Sequence, residues 1–420
     1  MRCLRLAFAA IGAASLLARS PLPPVPRSSG PLRHDAYVWQ RSWGRDVADA
    51  TRRAAPEFAR LVALGAEISW RAEGPHVAWS DADLSAATAE GAPGIALRIG
   101  PWPGPFDEAG AATRCVLATA ADLLDAARAR GVEPSELQID FDCATSRLGG
   151  FRHWIDALRR EAAPTPVTFT ALPAWLGSTE FADLAFAADG YVLQVHSLEP
   201  PRSNDALRPL CDADRARRWV ERAARIGAPF RVALPTYGYL AAFRPDGSLL
   251  GLDAEGAARA WPGGTRTVEI AADPAAMASL VRDWSADRPA AMTGLVWYRL
   301  PMPGDRRNWS ADALRLVRRG ETPAASVVAT LTHPQTALAE VRLSNAGPLD
   351  GAAPASIGVR WTGARLVAAD AFAGFATSDV ADGRLVVRRA TGSAVPAGSD
   401  RLVAWLRFDG AAEVTLDAAH

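Results

Sequence analysis

Two aspartates one residue apart, Asp140 and Asp142, end the run LQIDFDC at 137–143. Residues i and i+2 of a strand point to the same face, so this spacing sets two carboxyl groups side by side above a buried apolar stem. Like charges held that close and drawn out of water raise the pKa of at least one acid toward the range in which it donates a proton near neutral pH. The chemistry such a pair fits is carboxylate acid catalysis, one group giving a proton while the other stabilises developing positive charge. A solvated strand end is the bland alternative for the same residues.

Other apolar runs deliver compatible side chains at their ends: Gln194 and His196 in GYVLQVH, Tyr237 in FRVALPTY, and Trp297 with Tyr298 in TGLVWY. His196 reads as an orienting hydrogen bonder or a general base. Arg98, in GIALRI, either neutralises the aspartates or clamps an anionic group. Glu199 follows the His196 run as a spare carboxylate. Of the 14 tryptophans, Trp39, Trp175 and Trp297 fall at or just after predicted strand ends, where flat rings suit the faces of sugars. Packing alone accounts for about half of such aromatics. Asp140, Asp142, His196 and Glu199 offer oxygen and nitrogen ligands without a diagnostic spacing, so neither a metal nor a cofactor is expected. No G-x-S-x-G elbow supports a serine nucleophile.

Eight runs rich in valine, leucine and isoleucine read as strands, at 36–39, 66–70, 94–99, 137–142, 167–172, 190–196, 230–237 and 293–298. Helical segments such as CVLATAADLLDAARARG alternate with them and stop at glycine. The fold class this predicts is α/β, a closed (β/α)8 TIM barrel over 34–320, whose reactive groups gather at the C-terminal ends of the strands. A long connection at 239–272, with a hairpin signal at Asp246-Gly247, predicts a small insertion after strand seven. From 321 to 420 short alternating runs predict a C-terminal β-sandwich-like domain.

The first 33 residues read as an export signal with Arg2, Arg5 and an apolar run, followed by a proline-rich linker. The apolar run is short for a membrane span, so we expect an exported protein, periplasmic or secreted, or one anchored by an uncleaved signal, with no other span. Export places Cys115, Cys143 and Cys211 in an oxidising compartment, where Cys143 with Cys211 is the candidate bridge. The 46 basic residues, all arginine, balance 46 acidic ones, which leaves no net field to gather nucleic acid. A monomer is expected.

The chain resembles the chitinase-like glycoside hydrolases, barrel enzymes that cleave N-acetylhexosamine polymers with help from the substrate's acetamido group. Ile139-Asp140-Phe141-Asp142 aligns with that family's Ile-Asp-Trp-Glu, LPTYG at 234–238 with its seventh strand, and the 239–272 segment with its insertion. The resemblance implies that Asp142 stands in the acid's place, Asp140 where an aspartate orients the acetamido group, Gln138 where a deeper aspartate is usual, and Trp297 under the scissile sugar. Gln194-Val195-His196-Ser197 replaces the family's Met-x-Tyr-Asp, and Asp142 is one methylene shorter than the family's glutamate. The nearest likeness is to a bacterial family of exported barrel proteins of unknown function. Two functions follow for an oligo- or polysaccharide partner: hydrolysis of a glycosidic bond, or binding without turnover.

Overall fold

The computed structural model describes residues 24–417 apart from 89, 197–200, 202, 204–206, 254–258, 306, 382 and 393. Eight parallel strands close into a barrel: β1 (Arg33–Val38), β2 (Arg60–Arg71), β3 (Gly94–Ile99), β4 (Glu136–Phe141), β5 (Val167–Ala171), β6 (Tyr191–Gln194), β7 (Phe230–Pro235) and β8 (Met292–Tyr298). Each pairs with its predecessor, and β8 returns to β1. Every predicted strand coincides with one of them, although β2 starts at Arg60, earlier than its sequence pattern shows.

Seven helices surround the barrel among the described residues: α1 (Arg45–Ala54), α2 (Ala111–Arg128), α3 (Leu148–Ala162), α4 (Thr179–Ala187), α5 (Ala213–Ala224), α6 (Pro274–Ala286) and α7 (Ala311–Arg318). In α2 the residues Val116, Ala120, Leu123, Leu124 and Ala127 make one buried stripe, the spacing a helix needs to cover a sheet. Asp212, Asp273 and Ser310 cap α5, α6 and α7 through their side chains.

The eighth helix of an ideal repeat is replaced. After β2 the chain turns at Gly74, whose φ of +123° suits glycine, and returns as an antiparallel strand (Gly74–Trp79) on β2 itself. The segment that follows is rich in serine, aspartate, alanine and glycine and has no apolar stripe to hold a helix on the sheet.

A register shift between Leu64 and Ala66 sets which side chains of β2 face inward. Val62 and Leu64 lie in the barrel interior before it, whereas Ala66 and Ile68 pack outward after it. A bulge at Gly65 thus turns Glu67 toward the mouth. A Cβ on Gly65 would stand 2.7 Å from side-chain atoms of Ile95 and Leu123, so the close approach of α2 requires glycine.

The barrel interior is layered. Tyr37, Val62, Leu64, Ala96, Val192, Ala233 and Val296 fill the middle. Below them is a charged cluster: Arg231 donates to Asp35 at 2.6 Å and to Glu136 at 2.5 Å, and Arg60 pairs with Glu136 at 2.9 Å. The arginines hold the Glu136 carboxyl down to about 2 against its burial.

Strands Gly238–Phe243, Leu249–Asp253 and Arg266–Ala271 form a three-stranded antiparallel sheet after β7, with Gly247 at φ +82° in its hairpin. Beyond Gly320 the chain builds two four-stranded antiparallel sheets around Val341, Leu343, Ile357, Val359, Leu385 and Leu406. Within the proline-rich segment read as a linker, Arg27–Ser28 pairs with 288–289, and Arg27 bonds Asp287 and Glu221. That part is laid along the barrel. Residues 1–23, which hold the export-signal pattern, lie outside the described residues.

Candidate active site

The parallel register brings three charged residues abreast at the barrel mouth: Glu67 of β2 is opposite Arg98 of β3, and Arg98 is opposite Asp140 of β4. Asp140 is enclosed, its side chain 13% exposed. Thr170 of β5 donates to Asp140 Oδ1 at 2.8 Å, and Arg98 Nε stands 4.0 Å from Oδ2. Burial raises its pKa and outweighs the lowering by Arg98 and Thr170.

Asp142 follows β4 and opens to solvent, while the walls of the mouth still displace much of the bulk water around it. Burial first, then the charge of Asp140, push its pKa up to about 6, against smaller opposing effects of Arg98 and a hydrogen bond donated by Gln194. Phe141, between the two acids, packs outward against Phe106, Phe151 and Trp154, and the charge of Asp140 acts on Asp142.

An aromatic wall carries further predicted residues. Tyr298 stacks on His196 at 5.6 Å between ring centroids and meets Tyr237 edge-on at 5.4 Å; its other edge contacts are Trp39 at 5.5 Å and Tyr37 at 5.7 Å. Burial lowers the His196 pKa to about 4, so its imidazole is neutral at pH 7. Deeper in, Tyr37 O–H donates to Gln138 Oε1 at 2.5 Å, and Gln138 Nε2 donates to Thr168 at 3.4 Å.

Three tryptophans assigned to sugar contact lie elsewhere or are covered. Trp297 faces away from the barrel interior, because Val296 and Tyr298 take the inward positions of β8. It is fully buried, donates from Nε1 to His34 Nδ1 at 3.0 Å and packs on Trp309. Trp175 is sealed under the helices, bonded to the Cys143 carbonyl at 3.1 Å and packed against Phe151 and Phe181. Trp39 faces the interior but is only 3% exposed. Large aromatics here fill space between layers. Glu199 lies outside the described residues. Cys115, Cys143 and Cys211 are free thiols, so the Cys143–Cys211 bridge is not formed.

Glu67 and Arg41 are part of the mouth although the sequence did not single them out. Arg41 grips Glu67 through Nε at 2.5 Å and Nη2 at 3.1 Å. Among the described residues no group of three His, Cys, Asp or Glu side chains is arranged to hold a metal ion. No helix among them is long and apolar enough to cross a membrane. A cleft of about 890 Å³ lies between the segment after β8, α1 and the C-terminal sheets; Tyr237 lines it, and Asp140 and Asp142 do not.

Residues 109–303 match the family model of a domain of unknown function (DUF3142), and residues 328–409 match that of a second domain of unknown function (DUF8456). No curated protein matches the chain. Among solved structures, the chain is similar to the spore cortex-lytic enzyme SleL of Bacillus cereus at 12% identity, over 70% of this chain and 76% of that one, with a TM-score of 0.48. It is similar to a chitinase of Chromobacterium violaceum at 17% identity, over 69% and 98%, with a TM-score of 0.46. The GH18 chitinase ChiB of Flavobacterium johnsoniae shares 13% identity, over 70% and 94%, with a TM-score of 0.44.

Proposed function

We propose that this protein hydrolyses a glycosidic bond in an oligo- or polysaccharide by carboxylate acid catalysis. The observation that carries the reading is the acid pair at the barrel mouth: Asp142, pushed up to about 6 by burial and by the charge of Asp140, stands beside an enclosed Asp140 that Thr170 bonds and Arg98 faces. A pair whose environments differ in this way divides the labour of acid and stabiliser. Protonated Asp142 gives its proton to the glycosidic oxygen, which also takes the electron pair of the breaking bond. Asp140, as carboxylate, stabilises the positive charge left on the sugar, and water then adds to that carbon while losing a proton to the Asp142 carboxylate, which restores the acid. For an N-acetylhexosamine, the resemblance assigns Asp140 the orientation of the acetamido group. Gln194 steers the Asp142 carboxyl, and Tyr237, Tyr298 and neutral His196 supply an aromatic wall with polar edges. The apolar N-terminal run supports an exported location.

A second reading, sugar binding without turnover, is favoured by one feature: the short side chain of Asp142 is drawn to Gln194, which limits its reach toward a leaving oxygen. Glycan binding and reducing-end release, measured on the parent and on Asp142→Asn, separate the two. Release by the parent and none by the variant, with binding kept, supports hydrolysis. Binding by both with product from neither leaves the binding reading, and a protein that neither binds nor cleaves any glycan tried overturns both.

A further inference from the structure

We infer that Glu67 is a positioning residue for the acid pair, holding Arg98 midway between itself and Asp140 so that the guanidinium follows the negative charge as Asp142 gives up its proton. This rests on the acid-catalysis reading above. The geometry that carries it is a row of alternating charges on adjacent strands. Arg41 grips Glu67 with two hydrogen bonds, at 2.5 and 3.1 Å. Arg98 Nε stands 3.7 Å from Glu67 Oε1 and 4.0 Å from Asp140 Oδ2, beyond hydrogen-bond reach of both. The row ends at Asp140 and Asp142.

A guanidinium poised between two carboxylates has two close positions separated by a small movement. While Asp142 is protonated, Arg98 is shared between Glu67 and Asp140. Loss of the Asp142 proton to the glycosidic oxygen adds a negative charge on the Asp140 side, and Arg98 moves toward it while Arg41 keeps Glu67 neutralised. No other bond is made or broken in that shift. Arg98 is 43% exposed, so the mouth leaves its side chain room to turn.

The other described groups around the pair do not supply the same compensation. Thr170, from β5, is a neutral donor to Asp140. From β1 the Tyr37 hydroxyl is raised by burial, with Asp140 adding to the rise, and stays protonated. Gln194, from β6, is neutral, His196 beside it is uncharged at pH 7, and Tyr298, from β8, interacts with Arg98. Among the described residues, Arg98 is the cation that bears on both aspartates.

The test uses carboxyl-carbon NMR titration of protein labelled at aspartate, with Asp140 and Asp142 assigned from their asparagine variants. Glu67→Gln frees Arg98 to commit to Asp140, so the Asp140 midpoint falls by about one pH unit. Arg41→Gln leaves Glu67 without its main partner, so it captures Arg98 and the Asp140 midpoint rises. Opposite shifts that largely vanish in an Arg98→Gln background are the signature, since the direct charge of Glu67, which itself raises Asp140, acts with or without Arg98; opposite shifts of full size in that background overturn the inference. Shifts of the same sign, or none, overturn the inference. The titration needs no substrate, so its outcome is separate from whether the parent releases reducing ends.

Discussion

Thr170 Oγ1 donates a hydrogen bond of 2.8 Å to Asp140 Oδ1 across the β4–β5 pair, on the side of the carboxyl away from the oxygen that Arg98 approaches. Asp140 is thereby held from both flanks, while its neighbour two residues on is left to solvent and to Gln194. The hydrogen bond favours the ionised form of Asp140. Thr170→Val keeps the shape and removes the donor, at a cost of about 1.5–3 kcal/mol for a bond to a charged group. If Asp140 works as a carboxylate, kcat falls about 10- to 100-fold with little change in KM. A KM that rises while kcat stays constant argues instead that Asp140 only binds.

The raised Asp142 pKa gives the activity a direction with pH. A general acid works protonated, so kcat falls as pH climbs through about 6, where Asp142 ionises. His196, lowered to about 4, is already neutral across that range and does not set the limb. Asp142→Glu lengthens the acid's reach by one methylene and keeps a falling limb, whereas Asp142→Asn abolishes turnover. A parent profile that is flat from pH 5 to pH 8 counts against Asp142 as the donor.

At the other end of the barrel, Glu136 is buried between Arg231 and Arg60. Its folded pKa of about 2 lies below the ordinary glutamate value, so the cluster contributes stability above about pH 4.5, and that contribution is lost as pH falls toward 2. Glu136→Gln leaves two guanidiniums without their shared anion and costs about 3–5 kcal/mol at pH 7. Denaturant unfolding of parent and variant reads the difference, which shrinks at acid pH. A variant as stable as the parent at pH 7 shows that the floor cluster is not what steadies the closed sheet.

Trp297 separates packing from function. Because it faces His34 and Trp309 outside the barrel interior, Trp297→Phe leaves the His34 Nδ1 without its donor and thins a fully buried contact. The loss is about 1–3 kcal/mol, visible as a lower melting temperature, with glycan affinity of the folded protein unchanged. A weakened affinity at unchanged stability restores Trp297 to the sugar site.

The strands and the acid couplet were legible in the sequence because both rest on short-range pattern: β-branched runs mark strands, and period-two alternation puts Asp140 and Asp142 on one face. Trp297 was misread by one residue, since alternation along β8 makes Tyr298 the inward aromatic while the sequence only shows the two side by side. The charged floor was missed because Asp35, Glu136 and Arg231 come from strands far apart in the chain and meet only when the sheet closes. Glu67 was hidden for a different reason. Its inward direction depends on the bulge at Gly65, which breaks the alternation set by Val62 and Leu64.

That bulge is testable in its own right. Gly65 has no side chain where Ile95 of β3 and Leu123 of α2 close over β2, and a Cβ there meets atoms of both at 2.7 Å. Gly65→Ala forces those side chains out of their packing, and overpacking of this kind costs about 1–3 kcal/mol. The denaturant midpoint falls while the slope stays constant, because the same surface is exposed on unfolding. The strand also answers by shifting its register, which turns Glu67 away from Arg98 and lowers the Asp140 midpoint in the direction of Glu67→Gln. A Gly65→Ala protein with parental stability and parental Asp140 titration shows that β2 keeps its inward pattern without the glycine.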